Sequence, residues 1–185
     1  MAKDTIAATG IFQHAEYFYQ TLAALHKLNP DPRENLHAAT TLAEPLIVLS
    51  AITTELFLKC LICIESPGTT PPHDHNLQRL FGQLNVLTRA RIQNLWDCEV
   101  VPLRREEWDE WEGFGLKISR DLPSALAKGA NAFQIYRYSY EEKTDGIHYY
   151  LQDLSALLER IILEMRPEFE GWRRKQLPLP GVSYQ

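Results

Sequence analysis

Two charged residues stand in the most apolar stretch of the chain. Between Leu46 and Ile64 the residues are nearly all hydrophobic or small, and Glu55 and Lys59 lie one helical turn apart there, glutamate first, the order that favours pairing. Charges withdrawn from water need partners. The pair is therefore either a structural ion pair, joined by Arg137 or a tyrosine, or part of a functional cleft, because active sites exploit buried charge. Further on, His73-Asp74-His75 sets two imidazoles around a carboxylate. These are metal-ligand types, yet residues two apart on a loop supply only part of a shell and no further ligand lies nearby, so no metal and no other cofactor is expected. His75 or Asn76 reads instead as the cap of a helix starting at Leu77. Cys60, Cys63 and Cys98 form an odd set, the first two within an apolar helix, and read as small buried thiols rather than zinc ligands.

The elements that must position these groups are helical almost throughout. Thr9 could cap a first helix running to about Leu28, with Phe12, Ala15, Tyr19, Leu22 and Leu25 at three- and four-residue steps. Asn29-Pro30-Asp31-Pro32 ends it. A second helix opens between Asn35 and Ala43, with Pro45 placed in its first turn, and runs to about Glu65; apolar on most of its circumference, it should be the central helix. Ser66 to Pro72 is a breaker loop. A short amphipathic helix spans about Asn76 to Leu87, Thr88 caps another carrying Ile92, Leu95 and Trp96, and Pro102 stops the chain. Trp108 and Trp111 fall on one side of a helix within 104–115, as core packing. The stretch Leu122 to Tyr140, broken at Gly129-Ala130-Asn131, reads as irregular. A last long helix opens at Asp145 or Gly146, with Ile147, Tyr150, Leu151, Leu154, Leu158, Ile161, Ile162 and Met165 as its stripe, and the tail from Leu177 is peripheral.

Composition narrows the function classes. A chain of 185 residues suits one domain that needs no disulfide or metal to fold. Its net charge of −5 argues against a surface dominated by nucleic-acid electrostatics, though a local basic groove fits within that sum. The first residues lack the basic-then-apolar run of a signal peptide, and the apolar segment 46–64 is interrupted by Ser50, Thr53, Thr54, Glu55 and Lys59, all costly in lipid. A cytoplasmic protein without a membrane partner is expected. Phosphate-binding glycine loops, Gly-x-Ser-x-Gly and His-Glu-x-x-His are missing from the sequence.

Glu55-Leu56-Phe57-Leu58-Lys59, then a glycine-containing loop, then His75-Asn76-Leu77-Gln78-Arg79-Leu80 with Leu84 following, resembles the HEPN group of small helical proteins. That group carries Glu-Leu-x-Leu-Lys on a central helix and His-[Asp/Asn]-Leu-x-x-Leu-x-x-x-Leu after the loop. The resemblance covers roughly Phe12 to Met165. It implies an all-α, up-and-down bundle of about five to six helices. It also implies a homodimer formed through an apolar helix face. The segment Arg137-Tyr138-Ser139-Tyr140 is similar to the one that bears the family's functional arginine. In ribonuclease members an Arg-x4–6-His motif holds the scissile phosphate and moves the 2′-hydroxyl proton without metal. Here the motif is not intact. The next histidine is His148, and on one helix it would lie about 16 Å from Arg137. Catalysis by Arg137 and His148 is thus a weak expectation, and Glu55, Lys59, Arg137 and Tyr138 are the candidate binding residues. Two functions stay open: an RNA-associated module of stress or defence, non-catalytic or weakly catalytic, and a non-enzymatic dimeric interaction or scaffold protein with no nucleic-acid role.

Overall fold

The computed structural model describes residues 3–30, 34–137, 149 and 151–173. Helix α1 (Lys3–Leu28) runs antiparallel to α2 (Leu36–Glu65). Phe57 of α2 meets Phe12 and Tyr19 of α1 at ring-centroid separations of 6.0 and 5.8 Å, and the Cys60 thiol donates to the Ala8 carbonyl. Thr9 lies within α1 and does not cap it. Asn35 caps α2, accepting from the Ala38 amide at 3.0 Å. Pro45 is well inside α2 and not in its opening turn. Proline withholds one donor from the carbonyl a turn earlier. Thr41 and Pro45 are both exposed, so water can serve that carbonyl.

After Gly68, whose φ of 87° makes the turn that other residues rarely adopt, come α3 (Leu77–Gln83) and α4 (Val86–Leu95). Leu84 ends α3, and the side chain of Asn85, not Thr88, caps α4. Pro102 does not stop the chain. A π-helical turn, Trp96–Val100, leads straight into α5 (Val101–Gly113), and the proline falls where five-residue bonding gives way to four-residue bonding and a missing N–H is tolerated. The continuous rod 86–113 runs antiparallel to α8 (Leu154–Met165) and is fastened along it by Arg91–Glu164, Arg160–Glu99 and Arg104–Asp153. Exposed ion pairs of this kind contribute about 0–1 kcal/mol each, so the rod's anchorage comes mainly from Ile92, Trp96, Val100 and Trp108. Trp96 stacks on Trp108 and donates its indole N–H to the Arg120 carbonyl.

The stretch expected to be irregular is helical: α6 (Leu122–Gly129) and α7 (Ala132–Arg137) flank the break at Ala130 and Asn131. Asp121 caps α6, Pro123 lies in its first turn, and Leu122, Ala125, Leu126 and Gly129 supply the apolar face. Helix α8 opens at Leu154; Asp145 and Gly146, where the sequence placed its start, lie outside the described residues together with Tyr138, His148 and the tail from Leu177. Tyr149 is fully buried without belonging to a helix, and its hydroxyl bonds Ser50 at 3.0 Å. A 3-10 turn, Pro167–Trp172, follows α8 and packs Phe169 on Phe12.

Counting the rod once, the described residues form seven helices and no strand, an all-α bundle with more pieces than expected. Helix α2 is its centre, touching α1, α3, α7 and α8. Its stretch Thr40–Glu65 is long and apolar enough to cross a membrane by length and composition, and 67% of the most apolar window there is buried inside the fold. Leu58, Ile62, Leu80, Leu154 and Leu158 are buried, whereas Leu56 is only partly covered. Cys60 and Cys63 are buried thiols; Cys98, on the π turn, is exposed.

Candidate functional site

The polar residues of α2 divide into those that dock neighbours and those that form a site. Ser50 and Thr54 face Tyr149 and Ser155 across hydroxyl bonds of 3.0 Å, and Thr53 bonds back to the Leu49 carbonyl. Glu55 does something else. Its carboxylate, almost wholly buried, accepts from Lys59 Nζ at 2.7 Å and lies 3.0 and 3.1 Å from His75 Nδ1. The Glu55–Lys59 pair was legible in the sequence; its third member was not. His75 joins the pair, for which the sequence suggested Arg137 or a tyrosine; the side chain of Arg137 is not among those described.

The loop ahead of α3 is built to hold that imidazole. Asp74 accepts from the Asn76 amide and grips Arg79 through Nε and Nη2 at 2.6 and 2.7 Å, and the Arg79 bond holds its carboxyl far below the usual range. Asn76 caps α3 through the Arg79 amide, as expected of it or of His75. The same side chain donates to Asn131, and the Leu77 amide bonds the Ala130 carbonyl, so the turn between α6 and α7 is sewn to the start of α3. A Cβ on Gly129 would come within 2.9 Å of Leu151 Cδ1 and 3.2 Å of the Tyr149 ring, so a larger residue there would push these two side chains away from that turn. Phe133, in the first turn of α7, sits beside His75 with centroids 6.0 Å apart.

His75 is fixed at Nδ1 yet its side chain is 49% exposed, whereas Lys59 is nearly covered at 12%. In the neutral imidazole the carboxylate claims the Nδ1 proton and leaves the Nε2 lone pair available. The arrangement can therefore move a proton at one outward-facing atom. Arg137 closes α7 one turn beyond Phe133, about 6 Å of rise. Tyr138 and His148 lie outside the described residues. Among the described residues there is no group of three or more His, Cys, Asp or Glu side chains placed to hold a metal.

A second buried polar cluster lies away from this site. Glu16 of α1 and Glu159 of α8 are both buried and hydrogen-bonded to each other, and Arg173 reaches Glu159 at 2.8 Å beside a groove of about 510 Å³ that Tyr19, Glu159, Arg160 and Arg173 help to line. Burial raises the Glu159 carboxyl above its ordinary value, with Arg173 opposing, and burial with the Glu159 charge raises Tyr19 to about 12. The folded chain thus holds the Glu159 proton more tightly than the unfolded one, and the associated stability is full below the unfolded value and lost as pH rises through the folded one. Relative to Glu159→Gln, which is neutral throughout, the wild type should lose stability in urea unfolding as pH rises above the ordinary carboxylate range. Parallel stability curves for the two proteins would show that the carboxyl is not held protonated by the fold. The sequence carried only a faint signal for this pair: Glu16 and Glu159 each adjoin apolar stripe positions.

The chain significantly matches no protein-family model, no curated protein and no solved structure.

Proposed function

We propose that this chain is an HEPN-like helical module that associates with RNA, in the setting of stress or defence, with weak catalysis or none, and that it works as a homodimer in the cytoplasm. The observation that carries this reading is the junction of α2, α3 and α7. There a buried Glu55 holds Lys59 and an outward-facing His75, and the helix ending in Arg137 is tied to the same loop through Asn76–Asn131 and Leu77–Ala130. Glu55-Leu56-x-Leu58-Lys59 and His75-Asn76-Leu77, the two segments that resemble the family, thereby meet at one place. Phe133 adds an aromatic surface of the kind on which unpaired bases stack.

A second reading, a scaffold protein with no nucleic-acid role, has its own support. Arg79, Arg91, Arg104, Arg120, Arg160, Arg166 and Arg173 each face a carboxylate, and a guanidinium so engaged has little left for phosphate. A local cluster of Arg89, Arg91 and Arg137 would favour the RNA reading, and Arg91 pairs with Glu164.

The two readings separate in single-stranded RNA binding at moderate salt, with thermal unfolding measured in parallel. The RNA reading expects binding by the wild type and at least a severalfold loss in Arg137→Ala at unchanged unfolding temperature. Equal affinity of the two proteins, or no affinity in either, leaves the scaffold.

A further inference from the structure

Independently of the RNA reading, we infer that Glu16, Glu159 and Arg173 form a proton-gated clasp: ionised Glu159 holds the end of the 3-10 turn against α8, and a proton on Glu159 releases Arg173. The inference starts from a count of charges. Glu16 of α1 and Glu159 of α8 are both buried and hydrogen-bonded to each other, and two carboxyl groups in such contact share at least one proton. One negative charge is then left for Arg173, which donates to Glu159 from Nε at 2.8 Å and from Nη2 at 3.4 Å. Only one of the three partners can leave. The carboxyls are enclosed, whereas the Arg173 side chain is half-exposed. Phe169, buried against Phe12, anchors the turn from within, so release concerns only its last residues, Glu170 to Arg173. The further contact of Arg173 with Glu170, at 3.5 Å, stays inside that turn and does not fasten it to α8.

The surroundings set the direction. Burial favours neutral Glu159 more strongly than Arg173 favours the ionised form, so the carboxyl takes up its proton above the ordinary carboxylate range. Mild acid therefore opens the clasp. The bundle stays folded as it does so, because the stability tied to this carboxyl is full in the protonated form. Of the other charged or titratable groups nearby, Tyr19 of α1 is pushed up to about 12 and stays neutral, Glu170 belongs to the turn itself, and α8 contributes Arg160 and Glu164, held by Glu99 and Arg91 of the rod. Asp153, ahead of α8, is held by Arg104, and α2 meets α8 here through the hydroxyls of Thr54 and Ser155, which do not titrate. Arg173 lines the groove of about 510 Å³ beside Tyr19 and Leu163, so its departure widens that groove and frees a guanidinium.

The test follows two NMR signals of the full chain from about pH 8 to about pH 4, the Arg173 Nε–H and the Glu159 side-chain carboxyl carbon. At the alkaline end the Nε–H should be shifted and slow to exchange. As pH falls it should revert to the position of a solvated arginine, with the midpoint of the Glu159 titration and with circular dichroism still native. In Glu159→Gln it should sit at the solvated position at every pH. Arg173→Ala alters only a half-exposed side chain and guards against misfolding: there the Glu159 midpoint should rise by about 1 unit or more, the opposing cation being gone. Glu16→Gln, which still offers Glu159 a donor, should leave the midpoint nearly unmoved. An Arg173 signal that ignores pH in the wild type, or that titrates alike in Glu159→Gln, would overturn the inference. So would an unmoved midpoint in Arg173→Ala, a large fall of the midpoint in Glu16→Gln, or release of Arg173 only when the whole bundle unfolds.

Discussion

Leu58→Ala is expected to lose about 2–5 kcal/mol in urea unfolding, the range found when a buried leucine is cut back in a core that cannot fully collapse. Leu58 has no exposed surface and sits in the middle of α2, the helix against which α1, α3, α7 and α8 all pack. Helices close in on it from several sides, so the void left by the missing methyls cannot be filled by moving one of them alone. Leu56, on the same helix but only partly covered, is the internal control: its truncation should cost clearly less. Equal, small losses at both positions would mean that α2 is not the centre of the bundle.

Glu55→Ala should be the costliest polar change, about 2–4 kcal/mol, between the about 0–1 of an exposed pair and the about 3–5 of a fully buried one. The reason is what the substitution leaves behind. The Lys59 ammonium remains 12% exposed with its carboxylate removed, and His75 loses the group that orients it. Lys59→Met, which removes the stranded charge while keeping a long apolar stem, should recover part of the loss in the Glu55→Ala background. A loss below about 0.5 kcal/mol for Glu55→Ala would place the pair among surface ion pairs.

What the sequence made legible was whatever local periodicity encodes. The apolar run of α2, the stripe through Leu154, Leu158, Ile161 and Ile162, and the cap at Asn76 all rest on spacings of one helical turn, and all are present. Errors arose where one local rule concealed another. Pro102 looked like a stop because a regular α-helix would reject it, and the π turn before it is what makes room. In 122–137 the aromatics of the second half drew attention from Asp121, Pro123 and the Leu122-Ala125-Leu126-Gly129 spacing, an ordinary capped helix. Pairings across loops were out of reach. Glu55 and His75 are joined through a Pro/Gly-rich segment that no spacing rule spans, and Glu16 meets Glu159 from opposite ends of the chain. The site was thus half readable: the buried carboxylate and lysine from their apolar setting, the histidine only from tertiary structure.

Hydrogen–deuterium exchange of the full chain with and without a short single-stranded RNA tests the central claim most directly, because it reports where the ligand sits as well as whether it binds. Slower exchange concentrated at the start of α3 and along α7, about residues 74–80 and 131–137, with α4, α5 and the groove at Glu159 and Arg173 unchanged, is the expected result. An unchanged exchange pattern at saturating RNA, or protection confined to the α1–α8 side, would contradict it.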